Sequence, residues 1–370
     1  MVNGVKLIVG PVRIGLAAGI LAIAPIVDVS AAADHGSHSA WSRAVHDHGL
    51  DPDRVIDPFQ ASAEMADWVE SVVAGEPWLD DVGRLERIQG ALFDEDAFEF
   101  VYDEGLTLTA EQAFVERRGN CLSFTVLFVA LSRSVGLDTF LVTVRREPEV
   151  VRSGDLVVVN RHVVAGYRAG SALVTFDFAR SEAAFAPGHE IIDDVRASAI
   201  FHGNLGGAAL RRGDNRDALE QLEIATTLAP DWSSGWVNLG VALVRLGDRD
   251  RAYAAYRNAL VADPGNASAL NNLSALYARD GRTAEAIVAL RAAAETTDSP
   301  FTLIAMADSE IMSDRLDEAA RYLRRARRRH PMQPEVFDAL ARLADVQGRT
   351  GRAARYRDRA DGLRRQRAGD

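Results

Sequence analysis

The chain has 370 residues, which is too long for one ordinary hydrophobic core and predicts two domains. A hydrophobic content of 48% and a charged content of 26% are those of a soluble globular protein. The formal net charge of −11 argues against a general nucleic-acid-binding protein, because such a protein needs an excess of Lys and Arg to neutralise phosphates.

Residues 1–33 are typical of an export signal. Lys6 and Arg13 make a weakly basic start, residues 14–27 form an apolar run, and Ala31–Ala33 offer a small-residue cleavage site. The apolar run is short for a membrane span. We therefore predict a cleaved signal peptide and a periplasmic or secreted protein of the bacterial envelope. An uncleaved membrane anchor is the alternative.

A polar leader is expected over residues 34–58. It contains several histidines, but no carboxylate or thiol at metal-ligand spacing accompanies them. We therefore expect a solvated segment, and we predict neither a metal nor a cofactor for this protein. The histidines are His35, His38, His46 and His48.

The front domain is predicted to span residues 59–180 and to begin with helices. Helical patterns cover Pro58–Gly75 and Asp80–Phe93. Thr109 and Gln112 have the spacing of a capping box, in which each side chain bonds the backbone of the other residue at the start of a helix.

A buried helix and a sheet complete this domain. Gly119 ends the capped helix, and the nearly all-apolar run 120–131 predicts a buried central helix that stops near Gly136. Segments rich in Val, Phe and Thr then predict strands at Thr139–Arg145, Leu156–Asn160, His162–Tyr167 and Leu173–Phe178. Helices followed by antiparallel strands indicate an α+β domain, with a linker over residues 181–196.

The chain has one cysteine, Cys121, which excludes an internal disulfide and a multi-cysteine zinc site. A lone cysteine is often a small buried hydrophobic residue, and that alternative stays open. Cys121 nevertheless falls where the central helix begins, and a helix N-terminus favours a thiolate. The backbone N–H groups of Cys121 and Leu122 can hold an oxyanion there.

A base and a residue that orients it are predicted on the strands. If Ala169 and Gly170 form the tip of a hairpin, His162 and Asp177 lie directly opposite each other, with Cβ atoms about 4.5–5.5 Å apart. That distance allows a carboxylate to orient an imidazole. A slip of one residue would place the two on opposite faces. Each residue alone is also compatible with a purely structural role.

The order of a cysteine on a helix, then His162 and Asp177 on paired strands, resembles the transglutaminase-like superfamily, and residues 116–123 are similar to that family's bacterial active-site segment. The resemblance covers roughly residues 60–180 and implies a papain-like α+β fold. It implies Cys121 as nucleophile, His162 as general base and Asp177 as the residue that orients the base. Amide hydrolysis by a protease or amidase is the first expectation. An amine-transferring transglutaminase and a scaffold that no longer uses its triad remain alternatives.

A period of 34 residues governs the second half, residues 197–362. Gly213, Gly247 and Gly281 repeat at that spacing, which predicts about five stacked helical hairpins. The segment from Trp236 to Pro264 closely resembles the tetratricopeptide repeat. The chain is then expected to end in a basic tail, residues 363–370.

Two surfaces of the repeats are predicted to bind partners. Asn204, Asn238 and Asn272 recur once per repeat on the first helix of a hairpin, which lines the concave groove of tetratricopeptide arrays. They are expected to bond a protein or peptide, with bonding between helices as the alternative. A run of arginines, residues 321–329, predicts contact with an anionic surface such as a membrane or another protein. A solvated arginine face is the alternative there.

Overall fold

The structure is a computed structural model that describes residues 38–75, 78–153, 156–178 and 189–369. The predicted signal peptide lies outside the described residues. In the front half the helices are α1 His38–Asp47, α2 Ala63–Ala74, α3 Asp81–Phe93, α4 Ala110–Glu116 and α5 Cys121–Ser134, and a 3₁₀ turn spans Pro52–Arg54. The strands are β1 Val101–Tyr102, β2 Arg118–Gly119, β3 Thr139–Ser153, β4 Leu156–Ala169, β5 Ala172–Phe176 and β6 His189–Ile192.

Helix α5 is the centre of the front domain, as its apolar sequence predicts. Every residue from Leu122 to Ser132 is buried. Phe124 is surrounded by aromatic rings, with Phe93, Phe100 and Phe178 at centroid distances of 5.2, 5.5 and 5.7 Å. The core therefore fixes the helix that begins at Cys121.

The sheet has the antiparallel order β5-β4-β3-β6 and covers α5. The two strands predicted between Leu156 and Tyr167 are one continuous strand, β4. A second, two-stranded parallel sheet joins β1 to β2. The sequence did not indicate β1 or β2, because a two-residue strand is too short to show an alternating pattern.

The predicted hairpin register is wrong by two residues. Ala169 pairs with Ala172, so the tip is Gly170-Ser171. Gly170 has a φ of +63°, a conformation that glycine adopts without strain in a tight turn. A shift of two residues keeps each side chain on its face of the sheet, whereas a shift of one would not.

The prediction of a solvated leader is wrong for residues 38–58. Trp41 and Val45 of α1 are buried against α6, and Trp41 Nε1 donates to Ser198 Oγ at 2.9 Å. The backbone N–H of Ile56 donates to Nε2 of the buried His202 at 3.1 Å. The prediction missed this amphipathic helix because it was based on the polar histidines. The two buried apolar residues, Trp41 and Val45, lie four residues apart on one face of α1.

The predicted linker and domain boundary are also corrected. Strand β6 lies in the range given to the linker and pairs with β3. Helix α6 begins at Asp194, so the predicted boundary at residue 197 falls inside a helix. Ala197 and Phe201 of α6 belong to the front core, whereas Ala209 and Leu210 pack in the repeats.

The second half consists of five helical hairpins, as the 34-residue period predicts. Their helices are α6 Asp194–Arg212, α7 Asn215–Leu228, α8 Ser233–Leu246, α9 Arg249–Ala262, α10 Ala267–Arg279, α11 Thr283–Thr296, α12 Pro300–Met312, α13 Leu316–Arg329, α14 Pro334–Val346 and α15 Thr350–Gly369. Gly240 of α8 allows a close contact between the two helices of its hairpin, because a Cβ at this position would lie 2.4 Å from Tyr256 Cε1 of α9.

The predicted basic tail is the end of α15 and not a separate segment. Leu363 is buried in the core of the last hairpins, together with Leu323 of α13. Across the ranges that the structure describes, no helix combines the length and the apolar character that crossing a membrane requires.

Candidate active site

Cys121 is the first residue of α5 and is half-buried. Asn120 caps this helix, with Oδ1 accepting from the Ser123 N–H at 3.0 Å. The other end of the Asn120 amide donates to Thr107 Oγ1 at 2.8 Å. The Asn120 side chain is therefore engaged in the helix cap and in a bond to Thr107.

Gly119 allows the turn that presents Cys121. Its φ is +153°, and a Cβ at this position would lie 2.4 Å from Ser123 Cβ. Ser123 is buried, and its Oγ accepts from the Leu108 N–H at 2.8 Å. The approach of Ser123 to the 119–120 backbone thus holds the loop before α4 against the start of α5.

The structure brings His162 and Asp177 together, as predicted. His162 Nε2 lies 2.8 Å from Asp177 Oδ2, and the side chains are 17% and 4% exposed. An ionised carboxylate only accepts hydrogen bonds, so Nε2–H donates. The other ring nitrogen is then available to the Cys121 thiol, which also acts on the pKa of this imidazole.

These contacts raise the pKa of His162 to about 9. The hydrogen bond that the imidazole donates to Asp177 raises the pKa most, the interaction with Cys121 comes second, and burial acts in the opposite direction. The imidazole therefore carries its proton at neutral pH. An imidazolium beside a thiol at a helix N-terminus is the arrangement that stabilises a thiolate.

The corrected register changes how the pair meets. Asp177 follows the last residue of β5, and the register places it opposite Val164 rather than opposite His162. His162 thus reaches Asp177 along the diagonal of the hairpin, a distance that a long side chain spans. The Asp177 carbonyl accepts from Gln89 Nε2 at 3.0 Å, which fixes the residue beyond the strand end.

Thr125 ties the nucleophile's helix to the base's strand. Its Oγ1 lies 2.8 Å from the Cys121 carbonyl oxygen and 3.2 Å from that of Val163, the residue after His162. One buried hydroxyl thus sets the spacing of the two elements. The sequence held no signal for this role, because a Thr inside an apolar helix commonly bonds only its own helix.

The two backbone groups predicted to hold an oxyanion are free of protein acceptors among the described residues. The first intrahelical bond of α5 comes from the Phe124 N–H, and the Asn120 cap takes that of Ser123. This leaves the N–H groups of Cys121 and Leu122 at the helix start, where a developing negative charge is stabilised.

Tyr102 also borders this site, and sequence reasoning missed it. It pairs with Gly119, two residues before Cys121, and its ring is 4.8 Å from that of Phe178. Burial, then the charges of Cys121, Glu104 and Asp177, raise the pKa of Tyr102. An exposed aromatic residue in a short strand carries no recognisable pattern.

The predicted partner-binding asparagines are half-buried on α6, α8 and α10. In the described part of the chain, Asn204, Asn238 and Asn272 make no side-chain hydrogen bond. Bonding between hairpins is instead made by the neighbouring Asn271, whose Nδ2 donates to Thr302 Oγ1 at 2.6 Å. The three repeated amides therefore remain available to a ligand.

The arginine run on α13 is partly paired. Arg325 and Arg329 contact Asp298, whereas Arg324, Arg327 and Arg328 are exposed and have no ion pair within the described ranges. Those three lie on one face of the helix, because residues three and four apart are neighbours.

No group of His, Cys, Asp and Glu side chains suited to a metal ion occurs among the residues that the structure describes. His38 Nδ1 lies 3.1 Å from Asp57 Oδ2, and His48 Nδ1 is 2.8 Å from the carbonyl oxygen of Ala44. These two leader histidines have local structural partners.

Known proteins resemble the repeats. Residues 204–248 and 237–300 match the family model of the tetratricopeptide repeat. The heat shock protein sti1 homolog of Schizosaccharomyces pombe is 38% identical over 85 residues, which is 23% of this chain and 14% of that protein. The Hsp70-Hsp90 organizing protein of Triticum aestivum is 36% identical over 83 residues, or 22% of this chain and 13% of that protein.

Photosystem I assembly protein Ycf3 of Synechococcus is 35% identical over 83 residues, 22% of this chain and 48% of that protein. This chain thus spans less than half the length of each of these relatives. Among solved structures, pilF of Pseudomonas aeruginosa is 24% identical with a TM-score of 0.41, covering 45% of this chain and 78% of that chain. A score this low carries no argument. The family match and the five hairpins show that the second half of this chain is an all-helical array of tetratricopeptide repeats.

Proposed function

We propose that this protein binds a protein partner through its repeats, and that the front domain is a cysteine hydrolase acting on an amide of that partner. The comparisons favour the first part, because the relatives include the Hsp70-Hsp90 organizing protein and an assembly protein. They give no support to the second part, which rests on the geometry around Cys121.

Binding is proposed to use the concave groove. The observation that carries this is the set of half-buried, unpaired amides of Asn204, Asn238 and Asn272 at a spacing of 34 residues. An amide can donate to and accept from a peptide backbone, so repeated amides suit an extended segment.

The test starts from a peptide that is selected from a library for binding to the full chain. This peptide is titrated by calorimetry into the full chain and into its Asn238→Ala variant. Binding should weaken about tenfold on loss of the amide. Asn215→Ala on the second helix of the first hairpin is the matched control and should bind normally. Equal binding by all three proteins would exclude the groove.

The hydrolase proposal rests on the contact of one imidazole with both Cys121 and Asp177. In the proposed reaction the Cys121 thiolate attacks the amide carbonyl carbon, and the carbonyl electron pair moves to oxygen. His162 gives its proton to the leaving amine as the C–N bond breaks, and a thioester remains. Water then attacks the thioester, His162 takes a proton from it, and the acid and the thiol are released.

The resemblance of residues 109–178 to the transglutaminase-like superfamily is consistent with this chemistry. The helix, the two strands and the order of the three residues follow the family's arrangement, but a family fold does not choose the reaction. A scaffold that binds partners without catalysis is the alternative, and the comparisons favour it. Amine transfer is a further alternative.

A single incubation distinguishes these alternatives. The full chain is mixed with a glutamine-containing partner protein and a labelled primary amine. Hydrolysis gives cleavage or deamidation with little label retained, amine transfer gives stoichiometric label, and a scaffold gives neither. The Cys121→Ala variant should bind the partner and give no product. Product from that variant would exclude Cys121 as the nucleophile.

A further inference from the structure

The oxyanion side of the site has two backbone donors, the N–H groups of Cys121 and Leu122. Asn120 holds the helix cap at one end and Thr107 at the other. Cysteine hydrolysis places negative charge on the carbonyl oxygen in the transition state, and an additional hydrogen-bond donor aimed at that charge accelerates the reaction.

Tyr102 lies beside the segment that leads into Cys121. The pairing of β1 with β2 places it beside Gly119, so its backbone runs alongside the residues that lead into Cys121. Its ring packs 4.8 Å from the ring of Phe178, the residue after Asp177, which restricts its motion. The residue is 44% exposed, so a substrate can reach it.

The Tyr102 hydroxyl has no hydrogen-bond partner within the described ranges. Of the charged groups that act on it, Cys121 has the largest effect, ahead of Glu104 and Asp177. Negative groups around a phenol keep it protonated, and a protonated phenol is a donor.

We propose that Tyr102 is a catalytic residue that donates its O–H to the carbonyl oxygen of the tetrahedral intermediate formed at Cys121. This inference rests on the proposed hydrolase function. The Cys121 and Leu122 N–H groups are the other donors to the same oxygen. Tyr102 adds nothing to the nucleophilicity of the thiol itself.

The test compares two reactions of Cys121, the only thiol in the chain. Iodoacetamide alkylates the thiolate by displacement of iodide and forms no oxyanion. With p-nitrophenyl acetate, the thiolate attacks the carbonyl, the electron pair moves to oxygen, and collapse expels p-nitrophenolate and leaves an acetyl thioester. The ratio of the acylation rate to the alkylation rate therefore isolates the stabilisation of the oxyanion.

Tyr102→Phe removes the hydroxyl and keeps the ring stacked on Phe178. We expect the ratio to fall about tenfold or more, with alkylation unchanged, as for loss of one oxyanion donor. Tyr167→Phe is the matched control, because the Tyr167 hydroxyl bonds Asp81 at 2.6 Å and takes no part in the site. The ratio in this control should equal that of the wild type.

An unchanged ratio of acylation rate to alkylation rate in Tyr102→Phe overturns the proposal. An equal fall in both rates also overturns it, because Tyr102 would then act on the reactivity of the thiol and not on the oxyanion. Failure of the hydrolase function looks different. In that case wild-type Cys121 reacts with both reagents no faster than free N-acetylcysteine, and His162→Ala changes neither rate. Melting curves of both Tyr→Phe variants establish that each remains folded.

Discussion

Replacing Asp177 with asparagine tests the central contact of the site. The change keeps the shape of the side chain and removes its charge, and the Asp177 main-chain bond to Gln89 is unaffected. An amide cannot stabilise the imidazolium as a carboxylate does, since the hydrogen bond to Asp177 is the largest cause of the raised pKa of His162. We therefore expect the pKa of His162 to return toward 6.5.

The magnitude follows from the two protonation states. At a pH of about 7.5, a group whose pKa is about 9 is about 97% protonated, whereas one whose pKa is 6.5 is about 9% protonated. The sign is that of a raised pKa: the imidazolium is present below the ordinary value and is lost as the pH rises through about 9. The fraction of His162 that is imidazolium thus falls about tenfold at this pH in Asp177→Asn.

The assay is the rate of Cys121 alkylation by iodoacetamide as a function of pH, followed by intact mass. The chain has one cysteine, so every mass increment reports this site. Asp177→Asn should react roughly tenfold more slowly than the wild type near neutral pH, with the difference closing above about pH 9. Glu104→Gln is the control, because it removes a nearby charge that does not act on His162.

Two results would refute this reasoning. A rate for Asp177→Asn within about twofold of the wild type at neutral pH would show that the carboxylate does not govern the thiol. An equal loss in Glu104→Gln would attribute the effect to general electrostatics rather than to the hydrogen bond.

Three further predictions concern the rest of the chain. Gly240→Ala should lower the free energy of unfolding by about 1–3 kcal/mol in urea denaturation, because its Cβ would lie 2.4 Å from Tyr256 Cε1; an unchanged midpoint would contradict the close contact. Asp314→Gly should raise the free energy of unfolding by up to about 1 kcal/mol, since Asp314 has a φ of +57° that glycine adopts without strain. The melting temperature should rise slightly, and a lower melting temperature would contradict this. Mass spectrometry of the envelope fraction should find a mature N-terminus near Asp34, and an intact Met1 would exclude cleavage.

The repeats were predictable because their period is set by packing that recurs along the chain. Gly213 and Gly247 each end a first helix in the left-handed conformation, so the same residue type is required at the same place in successive hairpins. Asp314 interrupts the series in the sequence, yet it takes the same conformation. Local sequence and packing agree in this half of the protein.

The contact between His162 and Asp177 was predictable from the sequence, but its geometry was not. The two side chains meet diagonally, because a glycine preceding a serine also makes a good tight turn and the sequence does not rank the two tips. Because the register differs from the predicted one by two residues, His162 and Asp177 stay on the same face of the sheet and remain in contact. Tyr102 and Thr125 were missed because each acts through its position in space and not through a sequence spacing.

Helix α6 is shared by two hydrophobic cores, with Phe201 in the front domain and Leu210 in the repeats. Arg133 near the end of α5 also binds both carboxylate oxygens of Asp194, at 2.8 and 2.9 Å. This ion pair fixes α5, which starts at Cys121, against α6, which carries Asn204.

If the partner binds as proposed, a polypeptide in the groove would meet the Cys121 thiol at a constant distance along its own sequence. Cutting the chain after residue 196 would remove Phe201 from the front core, so the two halves are not separable modules at that point. Lengthening α6 by one turn would move the groove about 5.4 Å from the thiol and rotate it by little, and the reacting bond in the partner would shift by one to two residues.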